Sequence, residues 1–284
     1  MSKSIKNYLV VADIDGTFLE AGYGIPDANM KAVDDFIARG GNFTFCTGRS
    51  VDAVKPVTEF VRINKPAILC GGGQIYDFNT EKTLYSLTLA PAVKTLSAEL
   101  VKKFPSFGLE ITATDGIYIS HMTETIDHTT SIRHFKYCVC DLADVPENWY
   151  KAVFSGPEEE VVPLINFCKG ICAKNSQYKD INVTRTGKNF VELTPKGTDK
   201  ASGLIKLCSL IGINRAMTVA VCDYYNDEAL LKAAGTKITV ANAPSEVRAM
   251  SDFTVSSCLK GGVAEVLNRF EDVIGDYEQL SLLN

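Results

Sequence analysis

The chain alternates strand signals with helix signals, and this alternation is interrupted once and then resumes. Apolar strand-like runs and amphipathic helical stretches follow one another through the first 70 residues, which predicts a parallel sheet with crossover helices. The predicted strands of this part run to Asp13 and over 42–46 and 66–70, with helices at 27–39 and after Ser50. The same rhythm returns beyond Pro195, with helices from about Thr198 and Asn226 and strands at 217–221 and 237–240.

Between these two parts, the pattern is that of a different fold. Helical stretches around 96–104 and 157–173 separate strands that are joined by turns, such as the hairpin predicted to turn at 114–116. One domain inserted into another explains this order better than two consecutive domains, because the sheet rhythm stops and then continues. We therefore predict an α/β protein in three segments: a core over 1–87, an insertion over 88–189, and the rest of the core over 190–284.

Composition narrows the possible partners. The chain has 284 residues, 46% of them hydrophobic, and a net charge of −5 without a Lys/Arg stripe, so we expect a globular protein that does not bind nucleic acid. The N-terminal residues contain no signal-peptide apolar region, and no apolar run is long enough to cross a bilayer. We expect a cytoplasmic protein without membrane partners, either a monomer or a small homo-oligomer.

The nine cysteines predict reduced thiols rather than a disulfide framework, because their number is odd and most stand in apolar contexts. Two pairs, Cys138-x-Cys140 and Cys168-x3-Cys172, raise the alternative of a zinc site, with three histidines near the first pair: His121, His128 and His134. Neither spacing matches the usual structural zinc patterns. Core packing is the better explanation of these thiols.

Two carboxylates close the first strand, in the run Asp13-Ile14-Asp15-Gly16-Thr17. In α/β sheets, ligands bind beyond the carboxyl ends of strands, so Asp13 and Asp15 stand where a site is expected. Side chains two residues apart on an extended backbone point the same way, so the pair could share a cation or divide acid and nucleophile roles. The alternative is an Asx-type turn that ends the strand.

Further candidate groups follow other strands. The turn Thr47-Gly48-Arg49 offers a hydroxyl, an open backbone approach and a forked cation, which are phosphate-binding groups, although Thr and Gly also commonly begin helices. Lys200 falls in the first turn of a predicted helix, where the helix dipole gives a lysine no advantage, so it stands out from an ordinary surface lysine.

A last acidic group, Cys222-Asp223-Tyr224-Tyr225-Asn226-Asp227, follows the strand at 217–221. Asn226 or Asp227 would serve as a helix cap, but capping does not account for Asp223. Because Mg²⁺ takes six oxygens and often keeps several waters, two or three protein oxygens from two strand ends are enough to hold it.

Taken together in this order, the motifs resemble those of the haloacid dehalogenase-like (HAD) hydrolase superfamily, and the resemblance covers nearly the whole chain. It rests on Asp-x-Asp-Gly-Thr at 13–17, Thr-Gly-Arg at 47–49, the lysine at 200 and Asp-x-x-Asn-Asp at 223–227. The insertion resembles the α/β (C2-type) cap of subclass IIB, the Cof-type phosphatases, and 240–243 and 261–264 resemble the closing segments of that subclass. The resemblance therefore implies a Rossmann-like parallel-sheet core with an α/β cap.

This sequence departs from the family pattern at two places. The family usually has Gly before the fourth-motif aspartate, where this chain has Cys222, and often has Asn-Gly after the third strand, where this chain has Gly71-Gly72. Neither change removes a catalytic group, although Cys222 would crowd the site slightly.

The resemblance also implies roles. Asp13 is expected to attack phosphorus and form an aspartyl-phosphate, and Asp15 to protonate the leaving alcohol and later to deprotonate water. Mg²⁺ is expected on Asp13, on the backbone carbonyl of Asp15 and on Asp223, with Asp227 supporting the ion indirectly or through a water.

The remaining motif residues are expected to bind the substrate's phosphate. They are Thr47, Gly48, Arg49, Lys200 and Asn226. The cap would close over the site and select the leaving group. The resemblance thus implies a Mg²⁺-dependent phosphatase of small phosphorylated metabolites, with sugar phosphates first among them.

Two alternatives remain open from the sequence. A phosphomutase of the same superfamily would share the aspartyl-phosphate but return the phosphoryl group to a sugar. A non-catalytic protein that binds a phospho-ligand, or a receiver-like domain that accepts phosphate on Asp13, would need neither the acid at Asp15 nor a large insertion.

Overall fold

A computed structural model describes residues 4–127 and 136–281, and these residues fall into two compact units. The core unit comprises the residues up to Tyr85 and those from Asp199 onward, and the inserted unit comprises Ser86–Thr198. The strands in chain order are β1 Leu9–Ala12, β2 Asn42–Phe45, β3 Ala67–Leu69, β4 Gln74–Asp77, β5 Lys82–Ser86, β6 Gly108–Ala113, β7 Gly116–His121, β8 Cys138–Val139, β9 Trp149–Ser155, β10 Ile181–Arg185, β11 Phe190–Pro195, β12 Thr218–Cys222, β13 Thr236–Val240 and β14 Phe253–Val255. The α-helices are α1 Asp27–Ala38, α2 Val51–Thr58, α3 Val93–Lys103, α4 Glu158–Lys174, α5 Lys200–Ile211, α6 Glu228–Ala233, α7 Ser245–Arg248, α8 Gly262–Asn268 and α9 Phe270–Ser281.

The core unit is built on a parallel sheet with the strand order β14-β13-β12-β1-β2. Its central strands β1, β2 and β12 are buried along their whole length, as expected for a parallel sheet covered on both faces. Ala12, at the end of β1, lies opposite Val221 on one side and Phe45 on the other. The residues that follow these three strands are therefore brought to one edge of the sheet.

Beyond β2, an isolated parallel bridge joins Cys46 to Ile68 and places β3 next to the core sheet. Strands β3, β4 and β5 form a small three-stranded sheet. Helix α1 runs over the predicted segment, and Gly40 follows its end with φ +94°. Its apolar side, which includes the buried Val33 and Phe36, packs into the core.

The inserted unit holds a six-stranded sheet in the order β10-β11-β9-β6-β7-β8, antiparallel except for the β7–β8 pair. Its core is formed by one face of this sheet together with α3 and α4, and it encloses Trp149, whose indole N–H donates to the carbonyl of Pro146 at 2.5 Å. The parallel core with a separate antiparallel insertion confirms the predicted fold class.

Two details of the insertion differ from the sequence-based expectation. The sequence pattern predicts the end of the insertion at 189/190, whereas the compact units divide at 198/199, because β11 pairs along its length with β9 and β10 of the inserted sheet. Strand β9 was not predicted, although it lies in the interior of the six-stranded sheet between β11 and β6.

All nine cysteines are free thiols. Of the histidines considered for a zinc site, His121 has its Nε2 3.1 Å from the carbonyl oxygen of Pro105, and His128 and His134 lie outside the described residues. In residues 4–127 and 136–281, the one group of three or more potential metal ligands consists of carboxylates and contains no thiol. In the same residues, no helix combines the length and apolar character needed to cross a membrane.

Candidate active site

The loop after β1 holds its two aspartates on a backbone fixed by hydrogen bonds. The Asp13 N–H donates to the carbonyl of Val221 at 3.0 Å, and the N–H groups of Phe18 and Leu19 both donate to the carbonyl of Ile14 at 3.0 Å. Ile14 and Phe18 are fully buried and anchor the loop in the core. The Asx-turn alternative is wrong for both aspartates, because their carboxylates bind cationic side chains instead of the backbone of the turn.

Asp13 is buried beside an ammonium group. Its Oδ1 accepts a hydrogen bond from Lys200 Nζ at 2.6 Å, and the same Nζ donates to Oδ1 of the fully buried Asp227. Lys200 is only 4% exposed and is the first residue of α5, where the Asp199 carboxylate caps the helix by accepting from the Ser202 N–H at 2.7 Å. The helix dipole does not explain a lysine at this position, but its contacts do, because Lys200 is the counter-ion of two buried carboxylates.

The charges in this cluster shift one another's pKa. Burial raises the pKa of Asp13 to about 8; Lys200 opposes this shift, and Asp227 and Asp223 add to it. Burial would lower the pKa of Lys200, but Asp13 and Asp227 hold it well above its ordinary value. The lysine therefore stays charged, while Asp13 needs further positive charge to stay ionised near neutral pH.

Asp223 completes the cluster from the end of β12. Its Oδ1 accepts a hydrogen bond from the fully buried Thr17 hydroxyl at 2.8 Å, and burial raises its pKa to about 6 in spite of that bond. Gly16 makes this approach possible, because a Cβ at Gly16 would lie 2.3 Å from Asp223 Oδ2, and its φ of +82° favours glycine.

One carboxylate oxygen from each of Asp13, Asp223 and Asp227 lies within 4.8 Å of the others. An oxygen-only donor set of this kind fits a hard divalent cation such as Mg²⁺. The space that Gly16 leaves beside Asp223 agrees with that assignment.

The turn after β2 supplies Thr47, Gly48 and Arg49. Thr47 is buried, and its hydroxyl accepts a hydrogen bond from the Arg49 N–H at 3.2 Å. Gly48 has open space where a Cβ would stand. The Thr47 hydroxyl and the Gly48 amide thus follow the strand next to the one that carries Asp13.

The side chains of Asp15, Arg49 and Asn226 lie outside the cluster of Asp13, Lys200, Asp223 and Asp227. The carboxylate of Asp15 is half-exposed and is bound by the Arg49 guanidinium, with Nε 2.9 Å from Oδ2 and Nη2 2.5 Å from Oδ1. Asn226 is exposed, and within the described residues its side chain makes no hydrogen bond. Asp13, Lys200, Asp223 and Asp227 are brought together.

Sequence reasoning missed two residues that support the site. One is Thr17, which orients Asp223 and was quoted only as part of a motif. The other is Asn242, whose side-chain amide donates to the Gly16 carbonyl at 2.8 Å and whose Oδ1 accepts from the Cys258 N–H at 2.8 Å. The resemblance of 240–243 to the closing segment of subclass IIB was the available signal for Asn242.

The two departures from the family pattern fit the fold. Cys222 is fully buried in β12, and burial raises the pKa of its thiol well above the ordinary value, so the thiol stays neutral. Gly71 has φ +65°, a conformation for which Asn is the common substitute for Gly.

Comparison with known proteins supports the resemblance drawn from the motifs. The sequence-family model of the haloacid dehalogenase-like hydrolases matches residues 10–267, and this chain belongs to that family. A Bacillus subtilis relative, 5-amino-6-(5-phospho-D-ribitylamino)uracil phosphatase YwtE, is 25% identical over 92% of this chain and 96% of its own length.

Two solved structures share the fold. A haloacid dehalogenase-like hydrolase from Bacteroides thetaiotaomicron superposes with a TM-score of 0.82 at 22% identity, over 93% of this chain and 99% of that chain. The HAD subclass IIB sugar phosphatase BT4131 superposes with a TM-score of 0.77 at 17% identity, over 93% of this chain and 98% of that chain. The predicted family and enzyme class, a phosphoric monoester hydrolase, are confirmed.

Proposed function

We propose that this protein hydrolyses phosphate monoesters of small metabolites through an aspartyl-phosphate on Asp13. The observation that carries the proposal is the buried Asp13 carboxylate, held by the Lys200 ammonium and accompanied by Asp223 and Asp227 at the carboxyl edge of a parallel sheet. A nucleophile at this place can attack a phosphoryl group whose charge the neighbouring cations neutralise.

In the first step, an Asp13 oxygen forms a bond to phosphorus while the bond from phosphorus to the ester oxygen breaks. The leaving oxygen takes a proton from the Asp15 carboxyl group and departs as an alcohol. In the second step, water attacks phosphorus and gives a proton to Asp15, and the Asp13–phosphorus bond breaks to release orthophosphate. Covalent catalysis thus divides one difficult displacement into two easier ones.

Lys200 and the turn at Thr47 and Gly48 are proposed to stabilise the transferring phosphoryl oxygens. The Lys200 ammonium is desolvated, where a charge stabilises a transition state more strongly than in water, and removal of one such donor typically costs about 3–4 kcal/mol of transition-state stabilisation. Asn226 was predicted to bind the phosphate too, but its exposed side chain offers less support for that role.

We assign the metal site to Asp13, Asp223 and the backbone carbonyl of Asp15, with Asp227 supporting it. Mg²⁺ bound there would offset the repulsion between the Asp13 carboxylate and the substrate phosphate and would keep Asp13 ionised. The raised pKa of Asp13 and of Asp223 indicates a site that gains from such a cation.

Sugar phosphates and sugar-alcohol phosphates are the proposed substrate class. One relative is named for a phosphoribityl compound, and a structural neighbour is described as a sugar phosphatase. Residues that select the leaving group are proposed to lie within 88–189. We also propose that the protein acts in the cytoplasm, which suits its free thiols.

The test is a panel of phosphorylated metabolites assayed for orthophosphate release with and without Mg²⁺. Asp13→Asn should abolish turnover, and Asp34→Asn, which changes an exposed aspartate on α1, should not. Turnover by Asp13→Asn comparable to the unchanged protein would refute the nucleophile. Isomerised sugar phosphate without orthophosphate would favour a phosphomutase, and no turnover of any compound would favour a binding protein.

A further inference from the structure

We propose that Arg49 is the positioning residue of Asp15, holding the carboxyl group that protonates the leaving alcohol, rather than a ligand of the substrate phosphate. The inference rests on the proposed function, because it assigns Arg49 a part in the same reaction. It differs from the role that the sequence predicted for Arg49. The contacts of the arginine, of the aspartate and of the loop between them carry it.

The contact between the two side chains is a two-point clamp. Arg49 Nε donates to Asp15 Oδ2 at 2.9 Å, and Nη2 donates to Oδ1 at 2.5 Å. Parallel hydrogen bonds of this kind fix the plane of the carboxylate as well as its distance from the guanidinium. A lysine, which presents a point charge, would fix the distance alone.

Arg49 is itself held at both ends. Its N–H donates to the Thr47 hydroxyl at 3.2 Å, and its carbonyl accepts from the Cys70 N–H at 2.9 Å. At the other end, Nη1 donates to the carbonyl of Ala53 in α2 at 3.2 Å. Three of the five guanidinium N–H groups are therefore engaged before any substrate binds.

The orientation of the Asp15 side chain depends on this clamp, because in the part of the chain that the structure describes no other residue donates a hydrogen bond to its carboxylate. Its backbone is fixed by the loop, in which the Gly16 N–H donates to the Leu19 carbonyl at 2.8 Å. Its carboxylate, in contrast, is 54% exposed, and within the described residues all of its hydrogen bonds come from Arg49. Without Arg49, the carboxylate is free to change rotamer, so the arginine decides where the proton donor points.

A positioning role has a kinetic signature that a phosphate-binding role lacks. Alkyl esters need a proton on the departing oxygen, whereas p-nitrophenolate departs well without one. Formation of the aspartyl-phosphate from p-nitrophenyl phosphate therefore does not need a well-placed Asp15. Hydrolysis of the aspartyl-phosphate still does, because Asp15 takes the proton of the attacking water.

The experiment compares Arg49→Met and Arg49→Lys with the unchanged protein on a sugar phosphate and on p-nitrophenyl phosphate, with Mg²⁺ present. For Arg49→Met we expect kcat/KM to fall at least about tenfold with the sugar phosphate and less than about threefold with p-nitrophenyl phosphate. Rapid mixing should show a burst of p-nitrophenol equal to the active sites, followed by a slower steady rate. Arg49→Lys should recover part of the loss.

Arg39→Met is the matched control, because Arg39 makes a similar contact elsewhere in the core unit. Its Nη1 lies 3.1 and 3.3 Å from the two oxygens of Glu271, and its Nη2 donates to the Leu267 carbonyl. This variant should leave both activities unchanged. Any loss that it causes measures general destabilisation.

Two results would overturn the proposal while leaving the proposed function intact. An equal fall of kcat/KM on both substrates, carried by KM, would assign Arg49 to phosphate binding. An equal fall carried by kcat without a burst would assign it a structural role. If the unchanged protein turns over neither substrate, the proposed function fails first, and the role of Arg49 fails with it.

Discussion

Lys200→Met should destabilise the core unit, and the loss should grow with pH. The substitution keeps most of the side-chain volume but removes the ammonium that contacts Asp13 and Asp227, which are 5% and 0% exposed. Removing one partner of a buried ion pair leaves an uncompensated charge and typically costs about 3–5 kcal/mol. That is a large part of the roughly 5–15 kcal/mol by which a domain is stable.

The pH dependence follows from Asp13. Burial raises its pKa to about 8 in the folded protein, and Lys200 opposes that shift, so the pKa rises further in the variant. A group whose folded pKa is raised contributes stability that is lost as pH rises through that pKa. The ammonium stabilises Asp13 more as the carboxyl group ionises, so the difference in stability between the two proteins should increase from about pH 7 to about pH 9.

The assay is urea unfolding without Mg²⁺, because the metal would replace the missing charge. Labelling of the fully buried thiols of Cys46 and Cys222, read by peptide mass, reports on the core unit alone. Lys232→Met is the control, because Lys232 is 66% exposed and its pair with Glu228 is worth at most about 0.5 kcal/mol. The reasoning would be refuted if Lys200→Met lowered the free energy of unfolding by less than about 1 kcal/mol, or by the same amount at about pH 7 and about pH 9.

Two further predictions concern the metal site. Burial raises the pKa of Asp13 to about 8 and of Asp223 to about 6, so the stability that these groups contribute in their protonated form is lost as pH rises from about 4 to 8. The proposed Mg²⁺ would bind the ionised groups. Mg²⁺ should therefore raise the melting temperature more at about pH 8 than at about pH 5. An equal Mg²⁺ effect at both pH values would contradict this. Gly16→Ala should weaken Mg²⁺ binding in calorimetry and lower the free energy of unfolding by about 1–3 kcal/mol, because the added Cβ would lie 2.3 Å from Asp223 Oδ2 and φ is +82°. Unchanged Mg²⁺ affinity would contradict this prediction and would show that Asp223 has room to move.

The sequence was sufficient for the parallel core and for the residues that gather at its edge. Each core strand is a short apolar run that ends in polar groups, and parallel strands bring those ends together whatever lies between them in the chain. Lys200 was noticed because a lysine opposes the dipole of a helix N-terminus, and the structure supplies the reason in Asp13 and Asp227.

What the sequence did not show depends on pairings between distant segments. The position of β9 in the interior of the inserted sheet follows from its two partners, β6 and β11, neither of which is adjacent to it in the chain. The contact of Arg49 with Asp15 depends on side-chain rotamers in two separate loops. A motif states which residues are present, but it does not state which of them touch.

The insertion also has a consequence for the order in which the molecule is made. The strand that precedes the proposed nucleophile, β1, lies between β2 and β12, so one of its two neighbours is not synthesised until Thr218–Cys222. The Thr17–Asp223 hydrogen bond spans 206 residues, whereas the inserted unit is a continuous segment that ends at Thr198. During translation, the insertion can therefore fold first, while the edge of β1 that will pair with β12 stays unpaired. In such a chain, the length of the insertion and the rate of translation set the time during which the unpaired edge of β1 can pair with a wrong strand.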